Sequence, residues 1–164
     1  NLRSADYILD NIPLAVVVNE GSASASEIVS GAIKDYGIGA LFGDRTYGKG
    51  RVQTLYPLPD DSALRLTTAL YFPPKKHDIN YKHDDEGNRI PNTGGVLPDV
   101  PLEQPETWKG FKDKAGDLQL NTASAYLRLI LKGTSKEDAL KAVSKDLPKK
   151  AVKVAETGKK ANRR

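Results

Sequence analysis

The chain contains no cysteine and no methionine among its 164 residues, and it has one tryptophan and two histidines. Without cysteine it has no disulfide, no thiolate metal site and no cysteine nucleophile. Because it starts at Asn1 and lacks methionine, we expect it to be part of a longer product. No apolar run approaches the roughly 20 residues that a membrane-spanning helix needs.

Charge is spread unevenly along the chain, whose overall formal charge is +4. The last 16 residues, 149–164, hold seven basic residues and one acidic residue, which is +6 and leaves −2 on the other 148. A basic tail can bind phosphate-rich partners or an anionic membrane surface. A solvated and frayed terminus is the more common case, so we predict a flexible tail and no nucleic-acid partner.

The first part of the sequence has a strand, helix and strand pattern. The valine-rich run LAVVVN (14–19) is typical of a strand that is buried on both faces. Between Ser26 and Tyr36 apolar residues recur at helical spacing, and Gly37 is a helix stop. Residues 39–44 form a second short apolar run. Together these segments predict a right-handed βαβ unit in an α/β fold.

Downstream, the sequence predicts two further strands, then a long loop, and then two helices. The strands are 51–58 and 63–72, the loop is 73–98, and the helices are 118–132 and 135–146.

Three serines stand two residues apart between the first strand and the helix, in the stretch GSASASEI. A residue at the carboxyl end of a parallel strand faces the crevice in which α/β sheets place their sites. The free N–H groups of a helix N-terminus favour negative charge at the same point. Ser26 is a plausible helix cap and Ser22 a strand end, so Ser24 at the apex is the favoured nucleophile.

A nucleophilic serine needs a base, and the sequence offers His77, His83 and Lys49. Both histidines lie in the polar loop, where a solvated histidine is the simpler interpretation. Lys49, in TYGKGRVQ, follows the second strand, so its loop should emerge at the same sheet edge as Ser24. Lysine acts as a base only when neutral, which burial favours, and Gln53 could orient its amine. The alternatives for Lys49 are an exposed lysine or a phosphate contact, although the segment does not match the Walker pattern GxxxxGK[ST].

Taken together, NEGSASASEIVSGAIKDYG and GDRTYGKGRVQ resemble the C-terminal processing (tail-specific) serine proteases. The resemblance covers about residues 12–72 and, more loosely, GGVLPDVPLE (94–103). It implies part of a crotonase/ClpP-like protease core. On this basis residues 1–104 are the C-terminal half of the core, 105–148 a helical segment and 149–164 the basic tail.

The resemblance also implies a role for individual residues. The middle serine of SASAS corresponds to Ser24, the nucleophile of a Ser-Lys dyad, and the GKG lysine corresponds to Lys49, its base. Gln53 orients the lysine, and the backbone N–H of Ala25 supplies one donor of the oxyanion hole. Asp35, in the DYG motif, is a candidate member of the same network, although a polar helix-end residue is the simpler interpretation.

Other features of the sequence depart from this family. Members carry a PDZ domain and a first half of the core upstream, and the second oxyanion donor usually comes from that half. PPKKHDIN and HDDEGNRIPNTGG replace the family's usual turn and predict an enlarged loop.

The resemblance implies protein or peptide substrates and an extracytoplasmic location such as a periplasm. It also implies that the upstream half of the protease, with the PDZ domain and the first half of the core, is a partner on a separate segment or chain. No cofactor or metal is expected, and a homo-oligomer stays open. A catalytically inactive peptide-binding or partner-binding module is the alternative, and a crotonase-like enzyme of acyl thioesters ranks last.

Overall fold

The computed structural model describes residues 12–110, 112–145 and 147. It confirms the mixed α/β class, whereas the predicted tail 149–164 lies outside the described residues. The elements are β1 (Leu14–Val18), α1 (Ala25–Tyr36), β2 (Gly39–Gly43), β3 (Arg51–Pro57), β4 (Ala63–Leu70), β5 (Val100–Pro101), α2 (Leu118–Leu131) and α3 (Lys136–Lys145).

Strands β1, β2 and β5 form a parallel sheet in the order β1-β2-β5. Val18 lies opposite Gly43, so the carboxyl ends of β1 and β2 are level, as the βαβ pattern predicts. Every residue of the central strand β2 is buried. The prediction that β1 is buried on both faces is wrong, because Leu14 and Val17 are 38% and 42% exposed. In the described part of the chain β1 pairs with β2 alone and is an edge strand.

Helix α1 begins at Ala25, and its N-cap residue is Ser24. The prediction that Ser26 is the cap is therefore wrong. The reason is Glu27, whose carboxylate accepts a hydrogen bond from the Ser24 N–H at 3.0 Å, as in the capping box of many helix starts. Gly37 ends the helix in the left-handed conformation, as predicted.

The two C-terminal helices pack on the parallel sheet and share its core. The Phe42 ring of β2 lies 5.3 Å from the Tyr126 ring of α2. The buried residues of this core are Ala40, Phe42, Val100 and Leu102 from the sheet region and Ala123, Tyr126, Ala139 and Val143 from the helices. No helix within the described ranges is long and apolar enough to cross a membrane.

Strands β3 and β4 form a separate antiparallel hairpin with an irregularity between Val52 and Gln53. No residue of either strand is buried, and Leu55 is 65% exposed. The hairpin therefore differs sharply from the parallel sheet, although the chain enters it directly from the loop that carries Lys49.

Candidate active site

Ser24 occupies the turn between β1 and α1 in a rare backbone conformation. Its φ is 54° and its ψ is −113°. Residues other than glycine rarely adopt positive φ, and where they do the surrounding structure must hold them there. In the α/β-hydrolases, strand-to-helix turns of this strained kind expose a nucleophile. The Ala25 N–H, at the start of α1, has no hydrogen-bond partner within the described ranges.

The carboxylate of Glu27 ties the serine turn to the loop that carries Lys49. Glu27 is fully buried, and besides the Ser24 N–H it accepts hydrogen bonds from Gly48 N–H at 2.6 Å and Lys49 N–H at 2.8 Å. The Thr46 hydroxyl donates to it at 2.6 Å and accepts from the Val96 N–H at 2.7 Å. One buried carboxylate thus fixes the backbones of Ser24 and Lys49 relative to each other.

Ser24, Lys49 and Gln53, which the sequence singled out, line one cavity of about 370 Å³. The Tyr47 N–H donates to the Ser22 carbonyl at 2.9 Å and joins the two loops directly. The side chains of Lys49 and Gln53 are exposed. No hydrogen bond connects the three side chains to one another in the part of the chain that the structure describes.

Asp35 and the two histidines do not line this cavity. The side chain of Asp35 is only 6% exposed, accepts from the Lys75 N–H at 2.9 Å and lies 3.9 Å from His77 Nδ1. His83 packs edge-on against Tyr81, with ring centroids 5.0 Å apart. In the structure Asp35 therefore anchors the start of the long loop, and its role in a catalytic network stays a prediction.

Tyr71 is a neighbour of Ser24 that the sequence did not reveal. Burial raises the pKa of Tyr71, the Ser24 hydroxyl beside it lowers that pKa in part, and the Glu27 carboxylate raises it further. The phenol oxygen has no hydrogen bond of good geometry within the described residues. Tyr71 therefore brings a phenol hydroxyl close to the serine.

Glu27 and Tyr71 differ in whether the sequence could have indicated them. Glu27 follows Ser24 by three residues, which is the spacing of a capping box. Tyr71 lies 47 positions from Ser24, and no local motif links the two. The described ranges contain no group of three or more histidine, cysteine, aspartate or glutamate residues that could hold a metal ion.

Comparison with known proteins places the chain among the peptidases. The model of peptidase family S41 matches residues 2–102, and the chain belongs to this family. It is 42% identical over 115 residues to the carboxy-terminal-processing protease of Bartonella bacilliformis, which covers 69% of this chain and 24% of the relative. It is 41% identical over 125 residues to carboxyl-terminal-processing peptidase 2, chloroplastic, of Arabidopsis thaliana. That match covers 75% of this chain and 21% of the relative.

Among solved structures, a photosystem II D1 C-terminal processing protease is 43% identical to the chain. The match covers 57% of this chain and 22% of that one, with a TM-score of 0.45. The chain thus spans about a quarter or less of the length of these proteins.

Proposed function

We propose that the chain is part of a serine endopeptidase of the C-terminal processing type that cleaves unfolded or tail-exposed proteins. The observation that carries this proposal is the strained Ser24 turn, which shares a cavity with Lys49 and stands beside the free N–H of Ala25. The family and the names of the relatives support it. No observation favours the alternative of an inactive module.

The reaction we propose is acyl transfer from a peptide to water. Neutral Lys49 removes the Ser24 hydroxyl proton while the Oγ attacks the peptide carbonyl carbon. The oxyanion that forms accepts a hydrogen bond from the Ala25 N–H and from a second donor outside this chain. The lysine ammonium then protonates the leaving amine, and the acyl-enzyme is hydrolysed by a water that Lys49 deprotonates in turn.

Lys49 is exposed in this chain, whereas a lysine base has to be neutral. We therefore propose that a segment beyond this chain, the first half of a crotonase/ClpP-like core, covers the cavity and excludes water from it. Burial without a counter-charge favours the neutral amine, and the Gln53 carbonyl oxygen orients it without adding charge. The short span of the chain relative to its relatives is consistent with this arrangement. An extracytoplasmic location belongs to the same proposal.

The test uses the full protein that the gene encodes and an unfolded substrate, with products identified by mass spectrometry. Ser24→Ala and Lys49→Ala should each lower kcat by about a thousandfold or more. The two residues act as one unit, so removal of either one abolishes the contribution of both. Lys82→Ala, which removes an exposed lysine of the long loop, is the matched control and should retain full activity.

Two results would contradict the role of Lys49 in the dyad, and a third would contradict that of Ser24. One is full activity in the Lys49→Ala protein. The other is activity that stays constant towards acid pH, since protonation of the lysine should inactivate it. Cleavage that persists in the Ser24→Ala protein would exclude this serine as the nucleophile.

A further inference from the structure

The cavity beside Ser24 is lined by three cationic side chains, Lys49, Arg51 and Arg65, and by no acidic side chain within the described ranges. None of the three forms an ion pair in that part of the chain, where the ion pairs are Lys34 with Asp99 and His77 with Asp35. Positive charge in a concave site attracts anionic groups.

Glu27, the acidic group that adjoins this cavity, is not available to the arginines. Its carboxylate is fully buried and accepts four hydrogen bonds, three from backbone N–H groups and one from Thr46. An acceptor already satisfied in this way stabilises the loop backbone. The guanidinium groups of Arg51 and Arg65 are left without a carboxylate partner within the described ranges.

The strand register explains why Arg65 lies on the same side of the hairpin as Gln53. Side chains alternate between the two faces of a strand, so Gln53 and Leu55 share a face of β3. Arg65 of β4 is the cross-strand partner of Leu55 and therefore projects from that same face. Arg51 precedes the irregularity between Val52 and Gln53, and its side chain lines the same cavity as Gln53. The two cations and the residue proposed to orient Lys49 form one wall of the cavity.

Two aromatic residues, Tyr47 and Tyr81, also line the cavity, and the long loop braces them. Arg89 donates to the Tyr47 carbonyl oxygen at 2.5 Å, and its guanidinium lies 4.7 Å from the centroids of both Tyr47 and Tyr81. The Arg51 guanidinium lies 5.9 Å from the Tyr81 ring. Stacking and hydrogen bonding hold these two residues in place before any ligand binds, which lowers the cost of binding.

We propose that this cavity is a substrate subsite that binds a carboxylate, held by Arg51 and Arg65, next to the peptide bond presented to Ser24. The inference rests on the proposed function. Guanidinium groups suit this task because their fork of N–H donors matches the two oxygens of a carboxylate. The carboxylate is either an aspartate or glutamate side chain of the substrate or its free C-terminus.

The experiment compares matched peptides with the full protein. One pair has aspartate or asparagine beside the scissile bond, and a second pair has a free or an amidated C-terminus. In at least one pair kcat/KM should be about tenfold higher for the charged peptide, because a charge-assisted hydrogen bond is lost in the neutral one. The pair that responds identifies the source of the carboxylate.

Arg65→Gln and Arg51→Gln should each abolish this preference, so that the charged and the neutral peptide of a pair are cleaved with equal kcat/KM. Arg128→Gln, which removes an exposed arginine of α2 remote from the cavity, is the matched control and should keep the preference. Both cavity arginines are exposed, so these variants should fold, and their thermal melting would verify this. Equal cleavage of charged and neutral peptides by the unaltered protein would overturn the inference, as would a preference that survives both substitutions.

A binding measurement separates failure of this inference from failure of the proposed function. Fluorescence anisotropy of the same labelled peptides with the Ser24→Ala protein reports the subsite without any cleavage. Tighter binding of the charged peptide, lost in Arg65→Gln, would support the subsite even if the unaltered protein cleaved nothing. Equal binding of both peptides would refute it even if the Ser-Lys dyad were established.

Discussion

The two proposed partners of the dyad stand on very different supports. Ser24 follows a parallel sheet whose central strand contains Ala40, Leu41 and Phe42, all fully buried. The loop of Lys49 leads instead into the β3–β4 hairpin, where no residue is buried. The proposed nucleophile thus rests on a packed frame, whereas the proposed base and Gln53 border a surface that the described part of the chain leaves uncovered.

The difference separates two requirements of a catalytic pair, which are position and environment. The chain itself fixes the relative position of the two backbones, because Glu27 binds the N–H groups of both Ser24 and Lys49. The chain does not provide the buried environment that a neutral lysine requires, because the side chains of Lys49 and Gln53 remain exposed. This is the pattern expected if the chain builds the frame of a site and another segment completes it.

The largest effect should come from removing the carboxylate that joins the two supports. Glu27→Ala leaves three N–H groups and the Thr46 hydroxyl without their acceptor in a buried site. Because each unsatisfied buried group costs about 1–3 kcal/mol, we expect a loss of about 4 kcal/mol in the free energy of unfolding. Urea denaturation followed by circular dichroism measures it.

Glu106→Ala provides the control, since it removes an exposed glutamate outside this network. Its effect should stay within about 0.5 kcal/mol. An unfolding free energy that Glu27→Ala leaves unchanged would show that the frame does not depend on this carboxylate. The two loops would then be held by Tyr47 and its neighbours instead.

A second pair of substitutions compares the frame with the hairpin directly. Leu41→Ala, in the fully buried strand β2, should cost about 3 kcal/mol, because it removes apolar contacts and leaves a cavity. Leu55→Ala, in the hairpin, should cost less than about 1 kcal/mol in this chain, because that side chain is 65% exposed. Urea midpoints of the two variants give both values.

The same pair sharpens the comparison when it is placed in the full protein. If another segment covers the hairpin, Leu55→Ala should become more destabilising there, while Leu41→Ala should cost about the same in both. An equal and small cost of Leu55→Ala in both contexts would contradict the proposal that this surface is covered.

The sequence predicted the elements that depend on local pattern and on general rules of topology. Periodicity located α1, and the apolar runs located β1 and β2 to within a residue or two. Because parallel strands end at the same sheet edge, the loops of Ser24 and Lys49 could be predicted as neighbours, and they line one cavity.

The features that the sequence missed depend on partners distant along the chain. The exposure of β1 reflects its place at the edge of the sheet, which its valine content does not encode. The cap is the exception, because Glu27 lies only three residues from Ser24, and this capping-box spacing could have indicated Ser24 instead of Ser26. Tyr71 and Arg65 approach the site through the hairpin register, which needs a three-dimensional arrangement to become visible.

The smallest effects should appear in the pH dependence of stability, with opposite signs in the two regions. Asp44 follows β2, and its pKa is raised by burial and by the charges of Glu103 and Glu20. A hydrogen bond from the Arg45 N–H lowers the pKa in part. A raised pKa means that the folded state binds the proton more tightly, so ionised Asp44 weakens the fold above its folded pKa. Asp44→Asn should therefore raise the urea midpoint slightly at pH 7, and this gain should vanish below about pH 4.

Asp60, in the turn of the hairpin, is the matched opposite. Hydrogen bonds from the Ser62 hydroxyl and the Ser62 N–H lower its pKa. The ionised form therefore stabilises the fold at pH values above the unfolded pKa of about 4. This stabilisation is lost as the pH falls through the lowered pKa of the folded state. Asp60→Asn should lower the midpoint slightly at pH 7 and have no effect in acid. Urea midpoints at pH 3, 5 and 7 for both variants would test this pair. A midpoint at pH 7 that Asp44→Asn does not raise would show that burial at the sheet edge does not disfavour the charge of Asp44. A midpoint that Asp60→Asn does not lower would show that the Ser62 hydrogen bonds do not favour the charge of Asp60.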